Sequence, residues 1–279
     1  MTVINTNIKS LMASNALNLN GRVQQNTMES LSTGKRINRA SDDAAGLSIR
    51  ETMNAQINGL NAAVRNANDG ISLLQTADGA LNEVSSMMQR MRELATLSRT
   101  DTYSTVQKAA LNDEFIQLAS EIDRISDNTQ WNGGNILNGS GGPGGGANAF
   151  EFQIGANAGD TYDVSIGDLD TTAFGIGSAT ASIATASDAS AAISLIDLAL
   201  SQLNTQRSTI GAAVNRLTHA VDNLTNISQN TSDSRSKVED TDYAAATSEL
   251  ARQQIIQQAA TAILAQANQQ PQSVLSLLK

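Results

Sequence analysis

The sequence contains no cysteine, one histidine, two prolines and only 3% aromatic residues. Without cysteine, the chain has no disulfide, no thiolate nucleophile and no Cys-ligated zinc or iron–sulfur site. A single imidazole argues against His-dependent metal or triad chemistry. The sequence also shows no recognisable set of a nucleophile, a general base and a residue that orients the base. The composition therefore argues against an enzyme and predicts no cofactor and no bound metal.

Positive charge is also scarce, since 18 basic residues face 27 acidic ones and the net charge is −9. A nucleic-acid-binding protein needs a basic surface, so this balance argues against that class. No run of about 18 apolar residues is present, which argues against membrane insertion. Residues 1–14 have one Lys and no continuous apolar stretch of the kind found in secretory signal peptides. Taken alone, these features predict a cytoplasmic protein.

The acidic residues and glycines concentrate in the middle of the chain. Residues 125–206 contain no Lys or Arg but eight acidic residues, and 13 of the 20 glycines lie between positions 133 and 177. We interpret this middle, about residues 140–187, as a solvated surface region between two nearly neutral arms.

Both arms show the apolar spacing of long helices. Between positions 57 and 95 apolar residues recur about every 3.5 residues, the heptad spacing of packed helices. Ser41, Asp42 and Asp43 resemble a helix start, so we predict a helix from about 44 to 98, roughly 80 Å long. Shorter stripes occupy residues 111–125 and 196–224. Residues 149–154 and 161–166 alternate polar and apolar side chains, which predicts a β-hairpin at about 149–166. The predicted fold is mainly α, a long antiparallel helical bundle or coiled coil with a small β-hairpin in the middle.

The two ends of the chain carry thinner apolar stripes that are crowded by Asn, Gln, Ser and Thr. Such stripes bury too little area to hold an isolated helix in water, so we expect these ends to be helical only against partners, including other copies of the chain. The predicted polymerisation residues are Ile4, Ile8, Leu11, Leu19, Val23, Ile256, Ile263, Val274, Leu275, Leu277 and Leu278.

Several ordered motifs resemble bacterial flagellins. They include LSTGKRIN at 31–38, SDDAAGLSI at 41–49, NANDGISLLQTADGAL at 66–81 and VLSLLK at 274–279. The resemblance covers both arms, about residues 1–138 and 190–279. It implies a structural protein that polymerises into the flagellar filament and is exported without a cleaved signal peptide, which replaces the cytoplasmic expectation.

The resemblance also implies an architecture and a set of partners. Residues 1–40 and 240–279 correspond to the paired helices of an inner tube, and residues 41–239 to a rod-like bundle with a short middle in place of outer domains. The implied partners are other copies of the chain, an export chaperone, the filament cap and the hook–filament junction proteins. A hook–filament junction protein and a flagellin-like cell-surface binding protein are the alternative readings.

One further site follows from the resemblance. Gln89, Arg90, Leu94 and Glu114 match the segment through which some flagellins are bound by the host flagellin-sensing Toll-like receptor. Arg90 and Glu114 would supply charged hydrogen bonds, and Leu94 an apolar contact. The alternative is a solvated helix face with Leu94 in the core.

Overall fold

A computed structural model of the chain describes residues 6–139, 149–177 and 181–276, with side chains up to residue 269. These residues form five helices and two small antiparallel sheets. The helices are α1 (Ile8–Thr33), α2 (Ala44–Ser98), α3 (Thr105–Asn128), α4 (Ala186–Glu239) and α5 (Tyr243–Ser276). Strand β1 (Gln130–Trp131) pairs with β2 (Gly134–Asn135), and β3 (Ala149–Gln153) pairs with β4 (Thr161–Ser165). The mainly helical fold is confirmed.

Helix α2 begins and ends at the predicted residues, but its cap differs from the prediction. The carboxylate of Asp43 accepts hydrogen bonds from the backbone N–H groups of Ala45 and Gly46, at 3.0 and 2.9 Å. Ser41 therefore does not cap the helix. Asp42 instead closes the preceding loop, because its Oδ2 accepts the backbone N–H of Arg39 at 2.9 Å.

Residues 58–228 form one compact unit with its own hydrophobic core. The apolar stripes predicted for α2, α3 and α4 are all buried or half-buried, with Leu81, Phe115 and Leu203 fully inaccessible to solvent. Three helices with matching stripes bury these side chains against one another, as the heptad spacing predicts.

The interpretation of the middle as a solvated region is wrong for a stretch that we call the strap, residues 164–177 and 181–183. Its apolar side chains join the core of residues 58–228: Val164, Ile166, Leu169, Phe174, Ile176, Ala181 and Ile183. Helix α3 also binds the strap through hydrogen bonds. The Asp123 carboxylate accepts both the backbone N–H and the hydroxyl of Thr171, at 2.8 and 2.9 Å. The prediction was wrong because it relied on the net charge of this stretch, in which acidic residues lie between the apolar residues that are buried. Residues 140–148 and 178–180 lie outside the described part of the chain.

The predicted β-hairpin is confirmed to within one residue at each strand end. Phe152 of β3 pairs with Tyr162 of β4. The Phe152 ring lies against Gly70 in the middle of α2, where an added Cβ would come within 2.9 Å of the ring. Across the hairpin, the Arg216 guanidinium lies 4.3 Å from the centre of the Tyr162 ring. The hairpin is thus packed on the helices.

Residues 1–57 and 229–279 form the second compact unit. Within it, α1 packs on α5, and we call these two helices the terminal pair. The unit extends beyond the predicted inner-tube segments 1–40 and 240–279, because it also includes the adjoining ends of α2 and α4. No helix among the described residues has both the length and the apolar character needed to cross a bilayer.

Candidate assembly surface

The terminal pair exposes large apolar side chains. Six predicted polymerisation residues have described side chains, and their exposed fractions range from 43 to 60%: Ile8, Leu11, Leu19, Val23, Ile256 and Ile263. Met12, Met28 and Ile255 are exposed as well. Of the remaining predicted residues, Ile4, Leu277 and Leu278 lie outside the described chain, and only the helical backbone is described at Val274 and Leu275.

The unit formed by residues 1–57 and 229–279 buries very few apolar side chains. Among its described residues, only Ile37, Ile57 and Ala267 are buried hydrophobic side chains. Residues 58–228, by contrast, hold the large core described above. Because tertiary packing supplies most of the stability of a helix, the terminal pair is poorly stabilised by its own side chains.

Polar contacts join the two helices of the terminal pair. The buried Asn20 side chain donates from Nδ2 to the Gln253 carbonyl at 2.9 Å. At the start of α1, the Asn7 Nδ2 donates to the Ala267 carbonyl at 2.8 Å. Near this second contact a groove between the helices is lined by apolar groups of Met12 and Ile263 and by Lys9.

One connector links α1 to α2 and another links α4 to α5, and the two connectors contact each other. We call this contact region, residues 34–43 and 239–242, the junction. The backbone N–H of Arg36 donates to the Glu239 carbonyl at 2.6 Å, and that of Thr241 donates to the Gly34 carbonyl at 2.9 Å. Gly34 ends α1 with a φ of +72°, which glycine adopts without strain.

A buried carboxylate lies at the centre of the junction. Glu239 is only 4% exposed, and three cations face it: its carboxylate oxygens lie 2.5 Å from Lys35 Nζ, 3.6 Å from an Arg50 guanidinium nitrogen and 3.8 Å from Arg235 Nε. A buried charge persists only when it is paired, so these cations compensate the loss of water around Glu239. Sequence reasoning missed this cluster, because its members are up to about 200 residues apart in the chain.

The residues predicted for receptor recognition lie on α2 and α3, but not all are accessible. Arg90 bridges the two helices, with its guanidinium 3.0 Å from Glu114 and 2.6 Å from Glu93. Hydrogen bonds to Glu93 and Glu114 raise the pKa of Arg90 above its usual range. Gln89 is exposed beside it. The prediction that Leu94 offers an apolar contact is wrong for this fold, because its side chain is fully buried in the core.

The described residues hold no group of three or more His, Cys, Asp or Glu side chains that could bind a metal ion. What they present is exposed apolar surface on helices, which is typical of a protein that binds other proteins or its own copies.

Comparison with known proteins decides the family. The model of the bacterial flagellin N-terminal helical region matches residues 4–141, and that of the bacterial flagellin C-terminal helical region matches residues 193–278. The chain belongs to the bacterial flagellin family. Flagellin from Halalkalibacterium halodurans is 45% identical to it over 99% of this chain and 100% of the relative. Flagellin from Bacillus subtilis is 41% identical, over 99% of both chains.

One solved structure agrees with this assignment, and another shares the fold. The crystal structure of Bacillus cereus flagellin is 32% identical and has a TM-score of 0.50, covering 57% of this chain and 88% of that one. A Vibrio parahaemolyticus structure described as a flagellar hook-associated protein has a TM-score of 0.59 at 13% identity, over 71% of this chain and all of that one, and shows a shared fold. This flagellin is therefore a structural subunit of the extracellular flagellar filament, in a family of structural proteins rather than enzymes.

Proposed function

We propose that this flagellin polymerises through the terminal pair, and that neighbouring copies bury the apolar side chains which the isolated chain exposes. The observation that carries the proposal is the contrast between six exposed predicted residues and only three buried hydrophobic ones in the described part of that unit. Fully burying such a side chain stabilises by about 1.5–3 kcal/mol, so burying the remaining half gives about 1 kcal/mol each. Six of them together would shift assembly by about four orders of magnitude.

Single substitutions test this surface. Leu11, 60% exposed on α1, and Leu198, 55% exposed on α4, form a matched pair because both are exposed leucines on helices. Leu11→Gln should raise the critical concentration for polymerisation about fivefold, the equivalent of about 1 kcal/mol, whereas Leu198→Gln should change it less than twofold. Circular dichroism verifies that both variants fold. Equal effects from the two substitutions would contradict the assignment of assembly to the terminal pair.

We also propose that the exposed face around Arg90 binds a host flagellin-sensing receptor in the monomer. Arg90 and Glu114 are each 45% exposed, so they can exchange their mutual ion pair for charged hydrogen bonds to a partner. The test is a receptor reporter assay with purified monomer. Arg90→Ala should lower the signal at least tenfold, while Arg124→Ala, which removes a similarly exposed ion pair on α3, should not. Absence of signal from the unsubstituted monomer would also contradict the proposal.

The remaining partners are proposed from the family. We infer that an export chaperone binds the C-terminal arm before assembly, and that the filament cap and hook–filament junction proteins contact the polymerised subunit. Pull-down with α5 intact or deleted after residue 242 tests the chaperone, which should be lost with the helix. Sequencing the N-terminus of secreted protein tests whether export leaves the chain uncleaved.

A further inference from the structure

The most buried residue of helix α1 is polar. Among the described residues of α1, Asn20 alone is buried, with 6% exposure, while the large apolar side chains of the helix remain in contact with water. A buried amide without a partner would destabilise the pair, but the Asn20 side chain donates to the Gln253 carbonyl of α5 at 2.9 Å. The contact between Asn20 and α5 therefore includes a directional hydrogen bond.

Asn7 makes the same kind of contact at the other end of the pair. Its side chain donates to the Ala267 carbonyl at 2.8 Å. Asn7, the N-cap of α1, and Asn20 are 13 residues apart in the chain, and their acceptors are 14 residues apart on α5, in the opposite chain direction. At 1.5 Å per residue the two bonds are about 20 Å apart along an antiparallel pair. They thus constrain the same alignment of the helices at two distant points.

Apolar packing fixes this alignment only weakly, because the pair has few half-buried leucines, namely Leu17, Leu31, Leu250 and Leu264. The large apolar side chains of both helices are mainly exposed, and the groove between the helices is lined in part by alanines such as Ala13, Ala16 and Ala260, which are small enough to slide past one another. A shift by one residue would move each acceptor carbonyl by about 1.5 Å and rotate it by about 100° about the helix axis, which breaks a directional hydrogen bond. A buried Asn fixes register in coiled coils in this way, at some expense in stability.

We propose that Asn20, supported by Asn7, is the register-determining residue of the terminal pair. Its bond holds α1 and α5 in the one alignment that presents their exposed apolar residues together to a neighbouring copy. This inference rests on the proposed function, because the alignment matters for the surface through which copies assemble. Asn20 thus determines the register of the two helices. Its replacement by an apolar residue should make the contact between α1 and α5 more stable but allow more than one register.

The test compares Asn20→Leu with Asn15→Leu, a control at an exposed asparagine of the same helix. Because the chain has no cysteine, Asn18→Cys on α1 and Gln254→Cys on α5, both exposed and outside the lining of the groove, provide two unique sites for spin labels on the terminal pair. Distances between the labels are measured in the monomer and in filaments where labelled subunits are diluted with unlabelled ones. The parent and the Asn15→Leu control should give one narrow distance. Asn20→Leu should add a second distance, displaced by about 1.5 Å or more, and raise the critical concentration at least tenfold.

A single unchanged distance in Asn20→Leu, with normal polymerisation, would overturn the inference. A uniform loss of structure would also overturn it, because the proposal expects the helices to stay paired, and circular dichroism detects that loss. The Leu11→Gln variant separates this inference from the proposed function. Normal polymerisation of Leu11→Gln together with a shifted distance in Asn20→Leu would refute the assembly surface and leave the register assignment standing.

Discussion

Replacing Glu239 by Gln should loosen the junction while leaving residues 58–228 folded. The substitution keeps the size and the hydrogen-bonding shape of the side chain but removes its charge. Lys35, Arg50 and Arg235 then lose the buried carboxylate that they share, and Arg50 keeps Glu51, at 2.5 Å, as its acidic partner. The result should be local opening of the unit formed by residues 1–57 and 229–279.

The magnitude follows from how exposed each cation is. Removing one partner of a fully buried ion pair costs about 3–5 kcal/mol, whereas a surface pair contributes about 0–1 kcal/mol. The Lys35 side chain is 50% exposed and behaves mostly as a surface group, whereas Arg50 is 17% exposed but keeps a second acidic partner in Glu51. The expected loss in the free energy of opening lies between these two cases, at about 1.4 kcal/mol, which is roughly a 10-fold larger open population.

Amide hydrogen exchange measures this opening directly. The backbone N–H groups of Arg36 and Thr241 bond across the junction, so their exchange should become about 10-fold faster in Glu239→Gln. Asp233→Asn, which neutralises an exposed acid on the same helix, should change exchange less than threefold. Unchanged exchange at both amides in Glu239→Gln would refute the view that this carboxylate holds the junction together.

Two glycines and one surface carboxylate give further tests. Gly70→Ala should lower the free energy of unfolding of residues 58–228 by about 1 kcal/mol in urea titrations, since its Cβ would press on the Phe152 ring, whereas Gly79→Ala should raise it by about 0.5–1 kcal/mol because an added Cβ there meets nothing within 4 Å. A stabilising Gly70→Ala would count against the packing described for the hairpin. A hydrogen bond from Arg92 lowers the pKa of Asp197, so the stability from this pair is present above the usual carboxyl pKa of about 3.9 and is lost as the pH falls through the lower folded value. Arg92→Met should raise the Asp197 pKa in an NMR titration, and an unshifted titration would disprove the pairing.

The sequence was most informative where a periodic pattern repeats over many residues. The bounds of α2 and the pairing of β3 with β4 follow from heptad spacing and from strict alternation, which are properties of short windows of sequence. The exposed apolar stripe of α1 could also be anticipated, because a stripe crowded by polar residues has too little area to bury itself.

Other features depend on residues that meet only after folding. The pairing of Glu239 with Lys35 joins positions about 200 residues apart, and no local pattern marks either residue. The strap was misjudged because a window of acidic and glycine residues averages over the apolar side chains between them. Leu94 matches a recognition motif by position, but the helix rotation that buries it is set by the partner helices. No local signal marks Asn20 either, because exposed asparagines at positions 15 and 18 of the same helix look alike in the sequence.

The strap sets a lower limit on how short such a subunit can become. Its side chains complete the interior of residues 58–228, and Asp123 and Asn112 of α3 hold its backbone in place. Shortening the chain between β4 and α4 would therefore remove part of the hydrophobic core of residues 58–228. Insertions and deletions should therefore be tolerated more readily outside this stretch than within it, because changes within it remove core contacts.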